Sequence, residues 1–241
     1  MSIWAGPCLF TDLSESREII ETAQALWDMG IDYFRCKLWG GGTTSDKYFP
    51  GVGENGIKTF LKIPDIIPVG TEIQTPIQLE KSWTWGNHSI FLPFDYVWVG
   101  ARNAWNYGLR KDIRNFNIPW ILKRAPNMSI EKLYGAYDID KPTWVMERGV
   151  DALYQPDNAP FMPDLKGVIR MKHERPDIFD KLIVDCSHSV FMKYCVADVY
   201  NSFKSIGVKH FMFECTLSGK SRTDQGHMLS VKELEKIIRG K

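Results

Sequence analysis

Four side chains distributed along the chain form a set that can bind a transition metal. They are a thiol, an imidazole and two carboxylates, from Cys8, His188, Glu214 and Asp224. This mixture of sulfur, nitrogen and oxygen ligands suits a borderline divalent ion such as Mn²⁺, Fe²⁺, Co²⁺ or Zn²⁺. A lone cysteine or histidine usually fills a core or completes a hydrogen-bond network. The metal hypothesis therefore depends on a fold that brings the four together.

A second set of side chains is cationic and consists of Arg35, Arg102, Lys123 and Arg148. Guanidinium and ammonium groups that are held in place bind phosphate and carboxylate, and arginine does so bidentately. The net charge of the chain is only +1. A general attraction to nucleic acid or to anionic lipid is therefore not expected, and anion binding must come from a local cluster.

Short apolar runs alternate with longer amphipathic segments, and these elements must position the two sets. We predict strands at residues 2–5, 32–37, 66–72, 95–101, 119–123, 143–147, 182–185 and 209–214. Several of them are continuous apolar runs, which is typical of strands buried on both faces of a parallel sheet. Eight strands that alternate with helices favour a closed (β/α)₈ barrel over an open doubly wound sheet.

Capping residues indicate where helices begin and end. One helix is predicted after Ser14 and another from Ser129. Two more are predicted over residues 190–206 and 230–238. In the last of them, Ser230 and Glu233 have the spacing of a capping box.

The predicted strands end in residues that bind metals or anions. These residues are Cys8, Arg35, Lys37, Glu72, Arg102, Lys123, Arg148, His188 and Glu214. In a (β/α)₈ barrel, side chains at the carboxyl ends of the strands converge on one cavity. Buried charges in such numbers are costly unless they neutralise each other, a metal or a ligand. We therefore predict one cavity that contains both sets.

The length of 241 residues fits one α/β barrel, and no linker or low-complexity segment divides the chain. We expect residues 1–241 to be a single catalytic domain without a regulatory domain. Five irregularly spaced cysteines favour a reduced setting, and the first residues lack the pattern of a signal peptide, so a cytoplasmic protein is expected. No stretch approaches the ~20 apolar residues that cross a bilayer.

Several motifs occur in a specific order along the chain. They run from Ala-Gly-Pro-Cys at 5–8 through Gly-Ala-Arg-Asn at 100–103, Glu-Arg-Gly at 147–149 and Ser-His-Ser at 187–189 to Thr-Asp-Gln-Gly at 223–226. In these motifs the chain resembles the phosphoenolpyruvate–aldose synthases, in particular the type I, metal-dependent 3-deoxy-arabino-heptulosonate-7-phosphate (DAHP) synthases of the shikimate pathway. The resemblance implies a (β/α)₈ barrel, a divalent metal ion and a homo-oligomer.

The resemblance also implies roles for individual residues. The metal ligands would be Cys8, His188, Glu214 and Asp224. Phosphoenolpyruvate would be bound by Arg35, Arg102, Asn103, Lys123 and Arg148. The catalytic candidates are Lys37, Glu72, Arg102 and Lys123. Proton transfer would fall to Glu72 or to a water molecule on the metal.

The chain departs from the family after the second strand. The family has a Lys-Pro-Arg-Thr segment there, whose Lys contacts the enolpyruvate and whose Arg-Thr contacts the acceptor's phosphate. Residues 37–47 of this chain read Lys-Leu-Trp-Gly-Gly-Gly-Thr-Thr-Ser-Asp-Lys instead. We expect Lys37 to substitute for the missing lysine, because alternation along a strand puts it on the same face as Arg35. The glycine-rich part can bind a phosphate through its N–H groups. Further candidates in this segment are Thr43, Thr44 and Lys47.

The expected reaction is the condensation of phosphoenolpyruvate with a sugar aldehyde, most directly erythrose 4-phosphate, giving DAHP and phosphate. Two alternatives stay open. One is a sibling synthase that uses a different aldose acceptor. The other is a non-catalytic barrel that binds a phosphorylated metabolite, against which the metal-ligand set argues because a pure binding protein does not need it.

Overall fold

Parallel strands close into a barrel in this computed structural model, which describes residues 1–40, 50–63, 65–83, 93–151, 161–223 and 225–240. The strands are β1 (Ser2–Gly6), β2 (Tyr33–Arg35), β3 (Val69–Ile73), β4 (Tyr96–Val99), β5 (Trp120–Lys123), β6 (Trp144–Glu147), β7 (Val150–Asp151), β8 (Phe161–Met162), β9 (Leu182–Asp185), β10 (His210–Thr216) and β11 (Leu229–Ser230). The barrel order is β1-β2-β3-β4-β5-β6-β9-β10, and β10 pairs with β1 to complete the circle. The predicted (β/α)₈ fold and its eight strands are confirmed.

Helices connect successive barrel strands. They are α1 (Ser16–Asp28), α2 (Ile57–Phe60), α3 (Pro76–Trp83), α4 (Tyr107–Asn115), α5 (Ile130–Asp140), α6 (Leu165–Glu174), α7 (Pro176–Phe179), α8 (Val196–Ser205) and α9 (Val231–Arg239). Strands β7 and β8 form a small antiparallel hairpin beyond the end of β6, and β11 pairs with the end of β10. No helix in the described part of the chain is long and apolar enough to cross a membrane.

Two predicted helix starts are wrong and two are right. The first helix is capped by Asp12 and Glu15, which form a capping box around a short 3₁₀ turn, and not by Ser14. The helix predicted over 190–206 begins only at α8, because Phe191 has a positive φ of 54° that a helix cannot contain. Ser129 caps α5 as predicted, and Ser230 forms the predicted capping box of α9.

The barrel interior is filled at its amino end by a cluster of large side chains, which we call the inner cluster. It consists of Trp4, Tyr96, Trp98, Ile121, Met146, Ile183 and Met212, with Tyr33 and Trp144 packed against them. Trp4 stacks on Tyr33 with the ring centroids 4.5 Å apart. Gly70 makes room for this packing, because a Cβ atom there would overlap the ring of Tyr96. Strand residues that alternate with the inner cluster face the helices and build the outer core. The free space in the barrel therefore lies at its carboxyl end.

Candidate active site

The thiol of Cys8, the imidazole of His188 and the carboxylate of Glu214 meet at the carboxyl end of the barrel. One ligand atom from each lies within 4.8 Å of the others, and all three residues are buried. His188 Nε2 is 3.2 Å from Glu214 Oε1. The fourth predicted ligand, Asp224, lies outside the described residues. Three donors that are chemically mixed and this close together fit a borderline divalent metal.

The turn after β1 brings Cys8 to this place. Gly6 has a φ of 147°, and a Cβ atom there would overlap the carbonyl oxygen of Arg35 on the neighbouring strand. Beyond the turn, the backbone N–H of Lys37 donates to the carbonyl of Cys8, 3.2 Å away. The segments after β1 and β2 thus run side by side, and they deliver Cys8 and Lys37 to the same cavity.

Glu214, two residues before the end of β10, has a network of buried partners. Its Oε1 accepts a hydrogen bond of 2.6 Å from Arg35 Nη1, and its backbone N–H donates to Ser187 Oγ. Burial acts to raise the pKa of the Glu214 carboxyl, but His188 and Arg35 outweigh it and hold that pKa well below its usual range. The same contact with Glu214 raises the pKa of Arg35 against the effect of burial.

Asp185 joins the metal candidates to the cations. Its Oδ2 lies 2.8 Å from His188 Nδ1 and accepts a hydrogen bond of 3.0 Å from Lys123 Nζ. Burial lowers the pKa of His188, and the neighbouring carboxylates of Asp185 and Glu214 act against it. Burial also lowers the pKa of Lys123, and the nearby Arg35 and Arg148 act in the same direction. The carboxylate of Asp185 therefore orients both side chains.

A cavity opens beside this network and contains most of the predicted substrate residues. It is lined by Arg35, Lys37, Glu72, Gly100, Ala101, Arg102, Lys123, Arg148 and His188. Arg102 is exposed at its edge, whereas Lys37, Lys123 and Arg148 are buried. Asn103 forms part of the short turn after β4 and is not among the lining residues. Thr43, Thr44 and Lys47 lie outside the described residues.

Glu72 is the carboxylate among these cations. Burial acts to raise the pKa of Glu72, but Lys37, Lys123 and Arg102 lower it further than burial raises it. Its Oε2 accepts a hydrogen bond of 3.2 Å from the indole N–H of Trp98. Glu72 and Cys8 in turn raise the pKa of Lys37 against the effect of burial. Both shifts therefore favour the charged forms of Glu72 and Lys37.

Arg148 has buried hydrogen-bond donors without partners. The described residues offer no hydrogen-bond partner to its Nη1 and Nη2, although both atoms are buried. Its guanidinium stacks on Phe161 of β8, with 4.2 Å from Cζ to the ring centroid. Buried donors without hydrogen bonds are costly, so these two nitrogen atoms favour an anion in the cavity.

The model of the DAHP synthetase I family matches residues 1–239. The chain belongs to the DAHP synthetase I family. A phospho-2-dehydro-3-deoxyheptonate aldolase from Thermotoga maritima is 29% identical over 200 residues, which are 78% of this chain. The match covers 53% of the relative, so the chain spans about half the length of that protein.

Two solved structures from Thermotoga maritima have the same fold as this family member. A crystal structure of phospho-2-dehydro-3-deoxyheptonate aldolase superposes with a TM-score of 0.81 at 23% identity, and covers 99% of this chain and 67% of its own. A truncated form of 3-deoxy-D-arabino-heptulosonate 7-phosphate synthase superposes with a TM-score of 0.78 at 22% identity, and covers 100% of this chain and 84% of its own.

Three residues of the site in this DAHP synthetase family member were not assigned a role from sequence. Asp185 ends β9 and lies two residues before the Ser-His-Ser segment. Its position three residues before His188 was the available signal. Trp98 alternates with Val97 and Val99 on β4, which indicates a side chain that points into the barrel. His227 lies 2.8 Å from Glu214 Oε2, and no spacing rule connects it with Glu214.

Proposed function

We propose that the chain is a metal-dependent synthase that condenses phosphoenolpyruvate with erythrose 4-phosphate to give DAHP and phosphate. The observation that carries this proposal is the pair of buried Nη atoms of Arg148, which lack hydrogen-bond partners among the described residues. Arg148 lines the same cavity as His188, a member of the cluster with Cys8 and Glu214. An anion-binding cavity beside a metal-binding cluster can hold an acidic substrate and a carbonyl substrate together.

Arg102, Lys123 and Arg148 are the residues that bind phosphoenolpyruvate in this proposal, with Arg35 beneath them. The ligand's phosphate and carboxylate replace the missing partners of Arg148, and the arginines hold them bidentately. Lys37 supplies the positive charge that the family's Lys-Pro-Arg-Thr segment provides elsewhere. Its burial and its contact with the segment after β1 hold it in the cavity.

The chain's own residues fit a divalent metal at the edge of this cavity. Cys8, His188 and Glu214 would hold it, with Asp224 as the fourth candidate. When bound there, the ion supplies Lewis-acid polarisation of the acceptor's carbonyl group. The mixed ligand set suits Mn²⁺, Fe²⁺, Co²⁺ or Zn²⁺ equally well in kind.

The reaction balances with one water molecule. C3 of phosphoenolpyruvate bonds to the aldehyde carbon, and the ammonium of Lys123, whose pKa burial lowers, donates a proton to the aldehyde oxygen. Water adds at C2 and gives a proton to the carboxylate of Glu72. Cleavage of the bond between C2 and the phosphate oxygen then releases phosphate, which takes the proton of the new C2 hydroxyl, and the keto group is left. Return of the proton from Glu72 to Lys123 restores both side chains.

Consumption of phosphoenolpyruvate by metal-loaded protein tests this proposal. The acceptor panel contains erythrose 4-phosphate, arabinose 5-phosphate and their unphosphorylated forms. Arg148→Met and Lys123→Met should each lose at least 100-fold in kcat/KM. Arg17→Met is the matched control, because Arg17 lies exposed on α1 and pairs only with Glu21 among the described residues.

The same measurement separates the alternatives. Turnover with another aldose alone would identify a sibling synthase. Binding of phosphoenolpyruvate without consumption with any aldose would identify a non-catalytic barrel.

We also propose that the protein is a homo-oligomer of single-domain subunits in the cytoplasm. Its five cysteines are all free, which supports a reducing compartment. Light scattering of the purified protein measures the subunit number, and a monomer at micromolar concentration would contradict the oligomer.

A further inference from the structure

The two carboxylate oxygens of Glu214 have different neighbours. Oε1 accepts the hydrogen bond from Arg35 and faces His188 Nε2, 3.2 Å away. Oε2 lies 2.8 Å from His227 Nε2. Glu214 and His227 are both fully buried, so water does not compete for these contacts. Of the two oxygens, Oε1 is therefore the one that lies against the candidate metal ligand His188.

His227 is itself held in place by the segment that follows His188. Its ring packs edge-on against Phe191 with the centroids 4.7 Å apart, and Phe191 also contacts the ring of His188 at 6.0 Å. The φ of 54° at Phe191 is unusual for a bulky residue, and such backbone strain persists only where the surroundings fix it. The backbone N–H of Lys193 donates to the carbonyl of Gly226 at 3.0 Å. The segments that carry His188 and His227 are thus held together by this hydrogen bond and by the ring contacts of Phe191.

We propose that His227 is a positioning residue for the metal site. Its Nε2–H donates to Glu214 Oε2 and holds that oxygen on the side of His227, so that Glu214 would hold a metal ion through Oε1. Loss of this hydrogen bond would let the carboxylate rotate or chelate with both oxygens. Partners of this kind change metal affinity by about 10- to 100-fold in other proteins. The inference rests on the proposed metal site.

Direct coordination by His227 is the competing explanation. Among the described residues, the cluster whose ligand atoms lie within 4.8 Å of one another contains Cys8, His188 and Glu214 but not His227. A glutamine side chain can replace the donor of a histidine toward a carboxylate, but it is a poor replacement for imidazole as a metal ligand. The two roles therefore respond differently to His227→Gln.

The experiment measures Co²⁺ binding by full-length metal-free protein, through competition with a chelating dye and through the visible absorption of the bound ion. His227→Leu should weaken the Co²⁺ dissociation constant by about 10- to 100-fold and alter the absorption bands. His227→Gln should stay within about threefold of the original protein and keep its bands. His210→Leu is the matched control, because His210 lies on the same strand as Glu214, at its amino end, and contacts the carbonyl of Asp180. It should leave both readouts unchanged.

Unaltered affinity and bands in His227→Leu would overturn the positioning role while leaving the metal site intact. Equal loss in the leucine and glutamine variants would overturn it in favour of direct coordination. If the leucine variant does not fold, the glutamine variant still decides, because retained affinity and bands support positioning and their loss contradicts it. A protein of unchanged sequence that binds no Co²⁺ would overturn the proposed metal-dependent function as well, and that result is separate from the others.

Discussion

Trp98 contacts one anion and two cations of the cavity through different parts of its indole. Its N–H donates to Glu72, and its ring lies 5.1 Å from the guanidinium carbon of Arg35 and 6.0 Å from Lys123 Nζ. Cation–π contacts and a hydrogen bond from one rigid side chain fix three charges relative to each other. Trp98 thus connects the inner cluster with the chemistry above it.

Replacement of Trp98 by Phe should move the acidic limb of the pH profile. The ring remains for the cations, but the N–H that helps to lower the pKa of Glu72 is lost. Because activity in our proposal needs ionised Glu72, it falls as the pH drops through the pKa of this group. A raised pKa therefore shifts the acidic limb of kcat/KM to higher pH. A limb that stays in place or moves to lower pH would show that Trp98 does not act through Glu72.

The strand-end residues could be predicted because one rule covers them all. Cys8, Lys123 and Glu214 each lie at or just beyond the carboxyl end of a barrel strand, and the fold brings such positions together. His227 was missed because its contact with Glu214 depends on how two loops pack, and periodicity does not report that. The hydrogen bond from the backbone N–H of Lys193 to the carbonyl of Gly226 is an example of such loop packing. Asp185 ends β9 and follows the rule, but its hydrogen bonds with His188 and Lys123 appear only in the folded barrel.

At the scale of elements, the residue that follows β4 leaves space for the side chain of Glu72 on the neighbouring strand β3. Gly100 follows β4 directly, and a Cβ atom there would overlap the carboxylate of Glu72. That carboxylate is the far end of a flexible side chain, so it can move without disturbing the backbone. The absence of a side chain at position 100 therefore serves the orientation of Glu72 more than the stability of the strand.

Gly100→Ala should reduce kcat about 100-fold and change the unfolding free energy by about 1 kcal/mol or less. The comparison variant is Gly135→Ala in α5, where a Cβ atom meets nothing within 4 Å. That change should stabilise the protein by about 0.5–1 kcal/mol and leave kcat unaltered. Steady-state kinetics and urea denaturation provide both readouts. Full activity in Gly100→Ala would rule out the proton-transfer role of Glu72.

The capping box of α9 gives the stability of the protein an acid-sensitive component. Glu233 accepts hydrogen bonds from the backbone and hydroxyl of Ser230, and Lys193 lies 2.8 Å away. Burial acts to raise the pKa of Glu233, but Lys193 and Ser230 outweigh it and lower the pKa to about 2. A depressed carboxyl pKa stabilises the folded state above the usual pKa of 4.5, and this contribution is lost as the pH falls toward 2.

Glu233→Gln should therefore destabilise the protein at pH 7 and matter progressively less as the pH falls below about 4.5. Denaturation midpoints of the two proteins from pH 7 to pH 3 measure the difference, which high salt should reduce because Glu233 is partly exposed. Ser230→Ala, which removes the other half of the box, should cost about 1 kcal/mol at pH 7 and less below pH 4.5, because its hydroxyl also donates to the ionised carboxylate of Glu233. A difference for Glu233→Gln that does not vary with pH would contradict the assignment.

At the scale of the whole molecule, the residues that stabilise the barrel interior and the residues that bind and react lie at opposite ends of the barrel. Aromatic side chains close the amino end of the barrel, and the charged groups occupy the carboxyl end. The alternation of eight apolar strand segments with amphipathic helical segments made the barrel predictable from sequence. The particular aromatic filling was not predictable, because it depends on how side chains from non-adjacent strands, such as Trp4 and Trp144, fit together.

Trp4→Ala should lower the unfolding free energy by about 3–5 kcal/mol, since the side chain is fully buried and its removal leaves a cavity. Trp27→Ala on the surface of α1 should stay within about 0.5 kcal/mol, because Trp27 is 51% exposed. Folded Trp4→Ala protein should bind phosphoenolpyruvate with unchanged affinity. Titration calorimetry and denaturation test the two statements separately, and weakened binding would mean that the cluster also shapes the cavity.

Asp185 couples metal binding at His188 to anion binding at Lys123. One oxygen atom contacts both His188, a candidate metal ligand, and Lys123, a candidate anion ligand. A cation that draws on His188 also changes the charge that Asp185 shares with Lys123. By linkage, whatever factor the metal applies to the affinity for the anion, the anion applies to the affinity for the metal. The occupancy of the site by each ligand would then depend on the concentration of the other, and metal and anion would fill the active site together.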